Sequence, residues 1–213
     1  MRCDKKDLLL YGVTDRSWLG DRTLAQQVEA SLRGGATMIQ LREKHMDRGS
    51  ILAQALELRE LCGRYGVPLI LNDDAELAQA AGADGVHVGQ EDLEAGRARE
   101  LLGPDKLIGV SAHSVEEALA AQAAGADYLG VGAMFPTGTK QDTRPVSYDT
   151  LKAICAAVDI PVVAIGGIGA GNVAELAGSG IAGVAVVSAL YAQPDVEAAT
   201  RSLRAQVERV VGP

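Results

Sequence analysis

Aromatic residues, cysteines and long apolar runs are all scarce in this sequence. Only 3% of its 213 residues are aromatic, whereas 47% are hydrophobic, so the core must consist mainly of Ala, Val, Leu and Ile. Such a core suits parallel strands that are buried on both faces. The three cysteines, Cys3, Cys62 and Cys155, are far apart and form no C-x-x-C pair. The sequence therefore predicts neither a disulfide framework nor a zinc site.

Positive charge is scarce too, and this excludes several kinds of partner. The formal net charge is −8 and no long basic stripe occurs, so we expect no binding to nucleic acid or to an anionic membrane surface. The most apolar stretch, residues 181–190, is too short to span a membrane, and the run 8–10 is too short for a signal peptide. We therefore expect a cytoplasmic protein that binds any anion through local cations or a metal. The sequence leaves open whether the protein forms a homo-oligomer.

A short phrase that recurs along the chain predicts the strands. Each copy follows an Ala-rich amphipathic pattern and consists of a glycine stop and a short apolar strand. The copies are residues 34–41, 82–89, 125–132 and, more loosely, 180–187. Further apolar segments between them predict additional strands at residues 8–13, 67–71, 107–111 and 160–165.

Strands that alternate with helices over the whole chain predict an α/β fold with a parallel sheet. With right-handed crossovers, eight such units close into a (β/α)8 TIM barrel, here expected as a single domain over residues 1–213. An open doubly wound sheet is the alternative, but no G-x-G-x-x-G opens its first helix. In a TIM barrel the functional residues lie on the loops that follow the strands.

The end of the predicted second strand, Gln40-Leu41-Arg42-Glu43-Lys44, carries an amide and two cations. Alternation along a strand would place Gln40, Arg42 and Lys44 on one face. Arg offers a bidentate fork to a phosphate and Lys a point charge. The alternative is a solvated rim with an Arg–Glu ion pair, and the spacing alone does not choose between the two.

Acidic clusters follow the next two strands, Asn72-Asp73-Asp74 and Gln90-Glu91-Asp92. One carboxylate from each could bind Mg2+, which takes one or two protein carboxylates together with waters and substrate phosphates. Because Asn and Asp are also preferred helix N-caps, capping is the alternative. Each cluster contains more such residues than a cap requires.

The last three strand ends favour a second anion site. Glycine-rich backbone after the seventh strand, in Ile165-Gly166-Gly167-Ile168-Gly169, precedes Val187-Ser188 at the end of the eighth. Together these positions match the recurrent phosphate site of TIM barrels, at which N–H groups at the start of a helix bind the anion. The sixth strand leads into a long irregular segment that contains Thr137-Gly138-Thr139-Lys140, whose hydroxyls and lysine also suit an anion. A solvated loop is the alternative there.

The histidines show no metal-binding spacing. His45, His87 and His113 form no H-x-x-x-H pair, so we expect them to pack or to lie at the surface. Ser114 and Glu117 predict a capping box for the helix after the fifth strand. Ser111 is not needed for that cap and is expected to point into the barrel.

Taken together, these segments resemble the thiamine phosphate synthase family. They occur in the family's order and span nearly the whole chain. The segments that carry the resemblance are residues 11–15, 40–44, 72–73, 83–92, 109–111, 136–140, 165–168 and 187–188.

The resemblance implies two phosphorylated small-molecule substrates and Mg2+. The family joins 4-amino-5-hydroxymethyl-2-methylpyrimidine diphosphate to a thiazole phosphate, releasing diphosphate and forming thiamine phosphate. Carried over, the pyrimidine diphosphate is held by Gln40, Leu41, Arg42, Glu43, Lys44, Asn72, Ser111 and Lys140. The thiazole phosphate is held by Thr137, Gly138, Thr139, Gly167, Val187 and Ser188. Asp73 and Asp92 bind the metal, and the catalytic residues are Arg42, Lys44, Ser111 and Lys140.

The implied reaction is displacement of diphosphate through a pyrimidine cation, in which the metal and the cations act electrostatically. No side-chain nucleophile is needed, in keeping with a sequence that predicts no Ser–His or Cys–His arrangement. A related thiazole tautomerase and a non-catalytic phosphate-sensing barrel are the alternatives. A tautomerase handles no diphosphate, so the cations and carboxylates assigned to the diphosphate and the metal argue against it. A sensor should lack paired metal carboxylates, so their presence argues against the sensor.

Overall fold

The computed structural model describes residues 3–89, 95–138 and 144–212. Its strands are β1 Leu10–Val13, β2 Met38–Leu41, β3 Leu69–Asn72, β4 Gly85–Val88, β5 Leu107–Ala112, β6 Tyr128–Val131, β7 Val162–Ile165 and β8 Gly183–Val186. They form a closed barrel in sequence order, and β1 pairs in parallel with both β2 and β8. The predicted TIM barrel is confirmed, and the pairing of β1 with β8 excludes an open sheet.

Helices surround the barrel. They are α1 Leu24–Gly34, α2 Arg48–Tyr65, α3 Ala75–Ala81, α4 Ala95–Leu102, α5 Val115–Ala123, α6 Tyr148–Ala157, α7 Ser188–Tyr191 and α8 Val196–Val210. Short 3-10 helices occupy Lys5–Leu8, Arg16–Trp18 and Val173–Leu176. Among the described residues, no helix is long and apolar enough to cross a membrane.

The connection between β7 and β8 differs from the expected strand–helix unit. Only the 3-10 helix Val173–Leu176 lies there, so the glycine-rich turn after β7 does not lead into an α-helix as predicted. The short connection from 166 to 182 contains six glycines, and each glycine in a helix interior costs about 1 kcal/mol relative to alanine. Of the last two strands, β8 is the one that leads directly into an α-helix, α7.

Two prolines explain why β3 and β7 begin later than predicted. Pro68 and Pro161 have no N–H to donate to a ladder, and each strand starts one residue after its proline. The proline carbonyls still take part, accepting the N–H of Ile39 at 3.1 Å and that of Leu129 at 3.0 Å. The prolines therefore mark the edge of the barrel without breaking its closure.

The repeated glycine phrase has a structural role at the amino-terminal end of the barrel. In three copies, the side chain of the residue that follows Gly-Ala accepts the N–H of a residue at the start of the neighbouring strand. These bonds run from Leu10 to Thr37 Oγ1 at 2.9 Å, from Leu69 to Asp84 Oδ2 at 2.9 Å and from Ile108 to Asp127 Oδ2 at 2.8 Å. The looser fourth copy has Ala182 at this position, which makes only the backbone bond to Val162 O at 2.8 Å. The phrase thus joins even-numbered strands to their neighbours.

The barrel interior is filled by its own small cluster of side chains. It contains Leu8, Tyr11, Val13, Met38, Ile70, Leu107, Tyr128, Val163, Ala182 and Ala185. At Gly183 an added Cβ would lie 2.0 Å from Leu8 O, and at Gly85 it would lie 2.1 Å from Leu107 O. Neither position accommodates a larger residue, because the surrounding atoms are backbone.

Asp127 tests the contribution of these bonds to stability. It accepts from both Ile108 N–H and the guanidinium of Arg99, and its side chain is only 15% exposed. Asp127→Ala leaves both donors without this partner, so we expect the free energy of unfolding to fall by about 3 kcal/mol. Glu208→Ala, which removes an ion pair with Arg204 from an exposed helix surface, should cost under about 1 kcal/mol. Urea denaturation of both variants measures the difference, and equal losses would contradict a structural role of the repeat.

Candidate active site

A cavity of about 160 Å³ opens where the carboxyl ends of the strands meet, and we call it the mouth cavity. Parallel strands bring all of their carboxyl ends to one side of a barrel, which is where TIM-barrel active sites lie. Of the predicted site residues, the cavity is lined by Gln40, Arg42, Asn72, Ser111, Thr137, Gly167, Val187 and Ser188. Residues predicted from six different strand ends are thereby brought together.

The remaining predicted residues divide into two groups. Leu41, Glu43, Lys44, Asp73 and Gly138 are described by the structure but do not line the mouth cavity. Asp92, Thr139 and Lys140 fall outside the described residues. Their predicted roles therefore stay predictions.

The end of β2 only partly follows the predicted alternation. Gln40 points into the barrel, but the strand ends at Leu41, so the regular alternation does not extend to Lys44. Leu41 is packed in the core between strands and helices and does not line the cavity. An Arg–Glu pair, the alternative for this segment, is present, but its cation is Arg16, whose Nε lies 2.7 Å from Glu43 Oε1. Arg42 is a lining residue whose own N–H donates to Thr14 Oγ1 at 3.0 Å.

The acidic cluster after β3 performs two separate roles. Asp74 is the N-cap of α3 and accepts the N–H of Leu77 at 2.7 Å. Asp73 adopts a left-handed backbone with φ of 65° and accepts a hydrogen bond from Asn72 Nδ2 at 2.5 Å. Because Asp74 already provides the cap, capping does not explain the presence of Asp73. The part of the chain that is described holds no group of three potential metal ligands.

The glycine-rich turn after β7 is in close contact with the segment after β6. Phe135 N–H donates to Gly166 O at 3.0 Å, and an added Cβ at Gly167 would lie 2.5 Å from Pro136 O. Gly166 and Gly167 have φ of 97° and 65°, a region that side chains other than glycine rarely adopt. Glycine is required here by both its conformation and this close approach.

Polar side chains form a hydrogen-bonded chain across the floor of the mouth cavity. Gln40 Nε2 donates to Tyr11 OH at 2.7 Å, and the hydroxyls of Tyr11 and Tyr128 are 2.9 Å apart. Tyr128 OH lies 3.2 Å from His87 Nδ1, and His87 Nε2 lies 3.1 Å from Ser111 Oγ. We call this series the floor chain. Burial raises the pKa of both tyrosine phenols, so each remains protonated at neutral pH.

The floor chain corrects two expectations from the sequence. His87 lines the cavity rather than merely packing, and its contact with Ser111 is a Ser–His arrangement that the sequence did not predict. These residues belong to different strands, β4 and β5, so no local spacing reveals their contact. The available signal was strand alternation, which places His87 on the same face as Gly85, and Ser111 on the same face as Gly109.

His113 also lines the cavity, a position that its predicted place in a loop did not reveal. Its ring Nδ1 is 3.0 Å from Glu117 Oε2, and its N–H donates to the same oxygen at 2.7 Å. Only half of the predicted capping box forms, because the Glu117 carboxylate binds His113 instead of reaching Ser114 N–H. Ser114 Oγ does accept the N–H of Glu117, at 3.2 Å.

Comparison with known proteins identifies the family. The family model described as thiamine monophosphate synthase matches residues 10–190. The thiamine-phosphate synthase of Chloroflexus aurantiacus is 52% identical over 202 residues, which cover 94% of this chain and 93% of the relative. That of Ruminiclostridium cellulolyticum is 48% identical over 199 residues, 93% of this chain and 95% of the relative. The chain belongs to the thiamine monophosphate synthase family.

A solved structure supports the same assignment. Thiamine phosphate pyrophosphorylase from Pyrococcus furiosus superposes with a TM-score of 0.90 at 40% identity, covering 98% of this chain and 99% of that one. The resemblance to thiamine phosphate synthase seen in the sequence is confirmed, as is the expectation of a transferase of thiamine biosynthesis.

Gly167 provides a test of the site in this synthase-family barrel. Gly167→Ala must adopt a left-handed conformation and displace the segment that contains Pro136, so we expect a roughly tenfold or larger loss of kcat/KM for the thiazole phosphate. Gly171→Ala is the matched control, because no atom lies within 4 Å of an added Cβ there. Steady-state thiamine phosphate formation measures both variants. Equal activity of the two variants would contradict a role of this turn in binding.

Proposed function

We propose that this protein joins 4-amino-5-hydroxymethyl-2-methylpyrimidine diphosphate to a thiazole phosphate, releasing diphosphate and forming thiamine phosphate. We further propose that it acts in the cytoplasm as one TIM-barrel domain over residues 1–213. The observation that carries the proposal is that the mouth cavity is lined by residues from both predicted anion sites. Formation of thiamine phosphate from the two substrates, with and without Mg2+, is the direct test.

The two anion sites would occupy separate sides of the cavity mouth. Arg42 and Asn72 extend from β2 and β3, whereas Gly167 and Ser188 follow β7 and β8. One site therefore uses a cation and an amide, and the other offers glycine-rich backbone and the start of α7, whose N–H groups suit a phosphate. Two different phosphorylated substrates could bind at the same time.

The pyrimidine diphosphate is assigned to the side with Arg42. Gln40, Arg42, Asn72 and Ser111 line that part of the cavity, and Lys44 and Lys140 are proposed to add positive charge to the diphosphate. Negative charge grows on the diphosphate as it departs, so fixed cations stabilise the transition state more than the ground state. Leu41 and Glu43 would act through their backbone or by holding the end of β2 in position, since the Glu43 carboxylate is already paired with Arg16.

The chemistry of the residues fits Mg2+. Asp73 supplies a carboxylate that Asn72 orients at 2.5 Å, and Asp92 is proposed as the second ligand. Mg2+ requires hard oxygen ligands and only one or two from the protein. When bound, the ion would neutralise charge on the diphosphate.

Asp73→Asn tests the metal role. Asparagine tolerates the left-handed backbone that Asp73 adopts, so the fold should be retained while the charge is lost. We expect activity to fall about tenfold or more and the Mg2+ concentration for half-maximal rate to rise. The neighbouring Asp74→Asn is the matched control, since asparagine caps a helix as well as aspartate does. An unchanged Mg2+ requirement in both Asp73→Asn and Asp92→Asn would refute the proposed ligands.

A thiazole tautomerase is the second candidate, and the pair formed by His113 and Glu117 favours it. A tautomerase moves a proton on carbon and depends on a general acid or base, for which a histidine at the cavity wall is suitable. A synthase depends instead on stabilising the departing diphosphate. The two reactions therefore assign different importance to His113 and Lys140.

Lys140→Ala and His113→Ala separate these functions. For a synthase, loss of Lys140 should reduce single-turnover product formation by ~10²–10³, since one well-placed cation contributes a few kcal/mol. His113→Ala should have only a mild effect, and circular dichroism confirms that both variants fold. An essential His113 together with a dispensable Lys140 would overturn the synthase assignment.

A further inference from the structure

The contact between Ser111 and His87 has the separation of a nucleophile and its general base. Ser111 Oγ lies 3.1 Å from His87 Nε2, within the range over which a histidine can take a serine proton. Whether it does so depends on which ring nitrogen carries the proton. That tautomer is set by the hydrogen bond at the other ring nitrogen, here the contact of Nδ1 with Tyr128 OH at 3.2 Å.

Packing holds the floor chain in one arrangement. Tyr11 and Tyr128 are 1% and 0% exposed, and their rings meet edge to face with centroids 6.0 Å apart. At Gly109 an added Cβ would lie 2.5 Å from His87 Nδ1, and at Gly130 it would lie 3.0 Å from His87 Cε1. The two glycines leave the space that the histidine ring fills, so the ring is confined between neighbouring strands.

The order of protons along the floor chain follows from its first member. The Gln40 amide nitrogen can only donate, so Tyr11 oxygen accepts at 2.7 Å. Tyr11 has one hydroxyl proton, and the only other hydrogen-bond partner that the described residues give its hydroxyl is Tyr128 OH at 2.9 Å. That proton therefore goes to Tyr128. The opposite order would leave a Tyr11 proton buried without an acceptor, which is costly.

The same count then sets the tautomer of a neutral His87. Tyr128 accepts from Tyr11 and has one proton left, which it donates to His87 Nδ1. A ring nitrogen that accepts carries no proton, so a neutral His87 carries its proton on Nε2 and donates it to Ser111 Oγ. Ser111 Oγ is thereby an acceptor towards His87.

We infer that Tyr11 and Tyr128 are positioning residues that hold His87 as the Nε2–H tautomer, so that Ser111 acts as a hydrogen-bond donor to the substrate and not as a nucleophile. Since His87 donates to Ser111, it does not accept the serine proton, and the pair works in the direction opposite to that of a serine nucleophile and its base. The inference rests on the proposed function in one respect, that Ser111 faces the pyrimidine.

The tautomer of His87 can be measured without substrate. The chain has three histidines, and two-dimensional 15N–1H spectra of protein labelled at the imidazole nitrogens distinguish the two neutral tautomers. We expect the parent protein to show His87, assigned by its absence in His87→Gln, as the Nε2–H form. Tyr128→Phe should lose this preference, because Nδ1 no longer accepts a hydrogen bond from the tyrosine. An Nδ1–H form in the parent would overturn the inference, whatever reaction the protein catalyses.

Tyr191→Phe is a matched control for the loss of a buried hydroxyl. Tyr191 is also 1% exposed, but its hydroxyl lies 3.3 Å from Ser31 Oγ, outside the floor chain. The His87 spectrum should be unchanged in this variant. A shift of the tautomer in Tyr191→Phe as large as that in Tyr128→Phe would show a general loss of packing and would contradict the positioning role.

Kinetic measurements test whether the tautomer of His87 affects catalysis. Tyr128→Phe should lower kcat roughly tenfold, the size of one hydrogen-bond contribution, with a smaller change in KM for the pyrimidine diphosphate. His87→Gln keeps a donor near Ser111 and should retain more activity than His87→Leu. Equal kcat in Tyr128→Phe and Tyr191→Phe would overturn the link to catalysis. A parent protein that forms no thiamine phosphate would instead refute the proposed function, while the spectra still decide the tautomer.

Discussion

Closure of the sheet by the pairing of β1 with β8 is the constraint on which the rest of this molecule depends. Closure brings the carboxyl ends of all eight strands to one opening, so residues far apart in sequence line the same cavity. Arg42 and Ser188 are an example, since they follow strands that lie on either side of β1. Without this pairing, the two proposed anion sites would not open into the same cavity.

Closure also limits what the interior can contain. The barrel is narrow, and backbone atoms of neighbouring strands approach so closely at Gly85 and Gly183 that any side chain there would clash. Two buried tyrosines, Tyr11 and Tyr128, fill much of the remaining space. A tyrosine that is completely buried needs a partner for its hydroxyl, and here each hydroxyl takes its place in the floor chain. The floor of the cavity is therefore lined by hydrogen-bonded polar side chains.

The strands and the barrel could be predicted because the decisive features are local. Each Gly-Ala phrase ends a helix and leads directly into a strand. The side chain that follows the phrase accepts an N–H of the adjacent strand, as Asp84 does. The order of strand ends then located Arg42, Asn72 and Gly167 at the cavity. Two local details differ from the prediction: Lys44 lies beyond the end of β2, where regular alternation stops, and only the 3-10 helix Val173–Leu176 forms after β7, in a glycine-rich connection.

The contact between His87 and Ser111 could not be predicted, because it depends on the register of β4 against β5. His87 pairs with Gly109 in that register, which places Ser111 one inward position further along. A difference of one residue would turn the ring to the outer face of the sheet. The same applies to the tyrosine pair, whose members are 117 residues apart. Such contacts can be identified only when the pairing and register of the strands are known.

The separation of charge between rim and floor fits the proposed chemistry. The protein as a whole is acidic, with a net charge of −8, so the proposed anion sites would rely on a few cations and N–H groups at the rim. The floor carries neutral donors and acceptors whose order is set by Gln40 and the tyrosines. A substrate with a charged diphosphate and an uncharged ring would bind with its charge at the rim and its ring towards Ser111. In that orientation the leaving diphosphate would depart towards the cations, and the ring would remain beside Ser111, which is not poised to attack it.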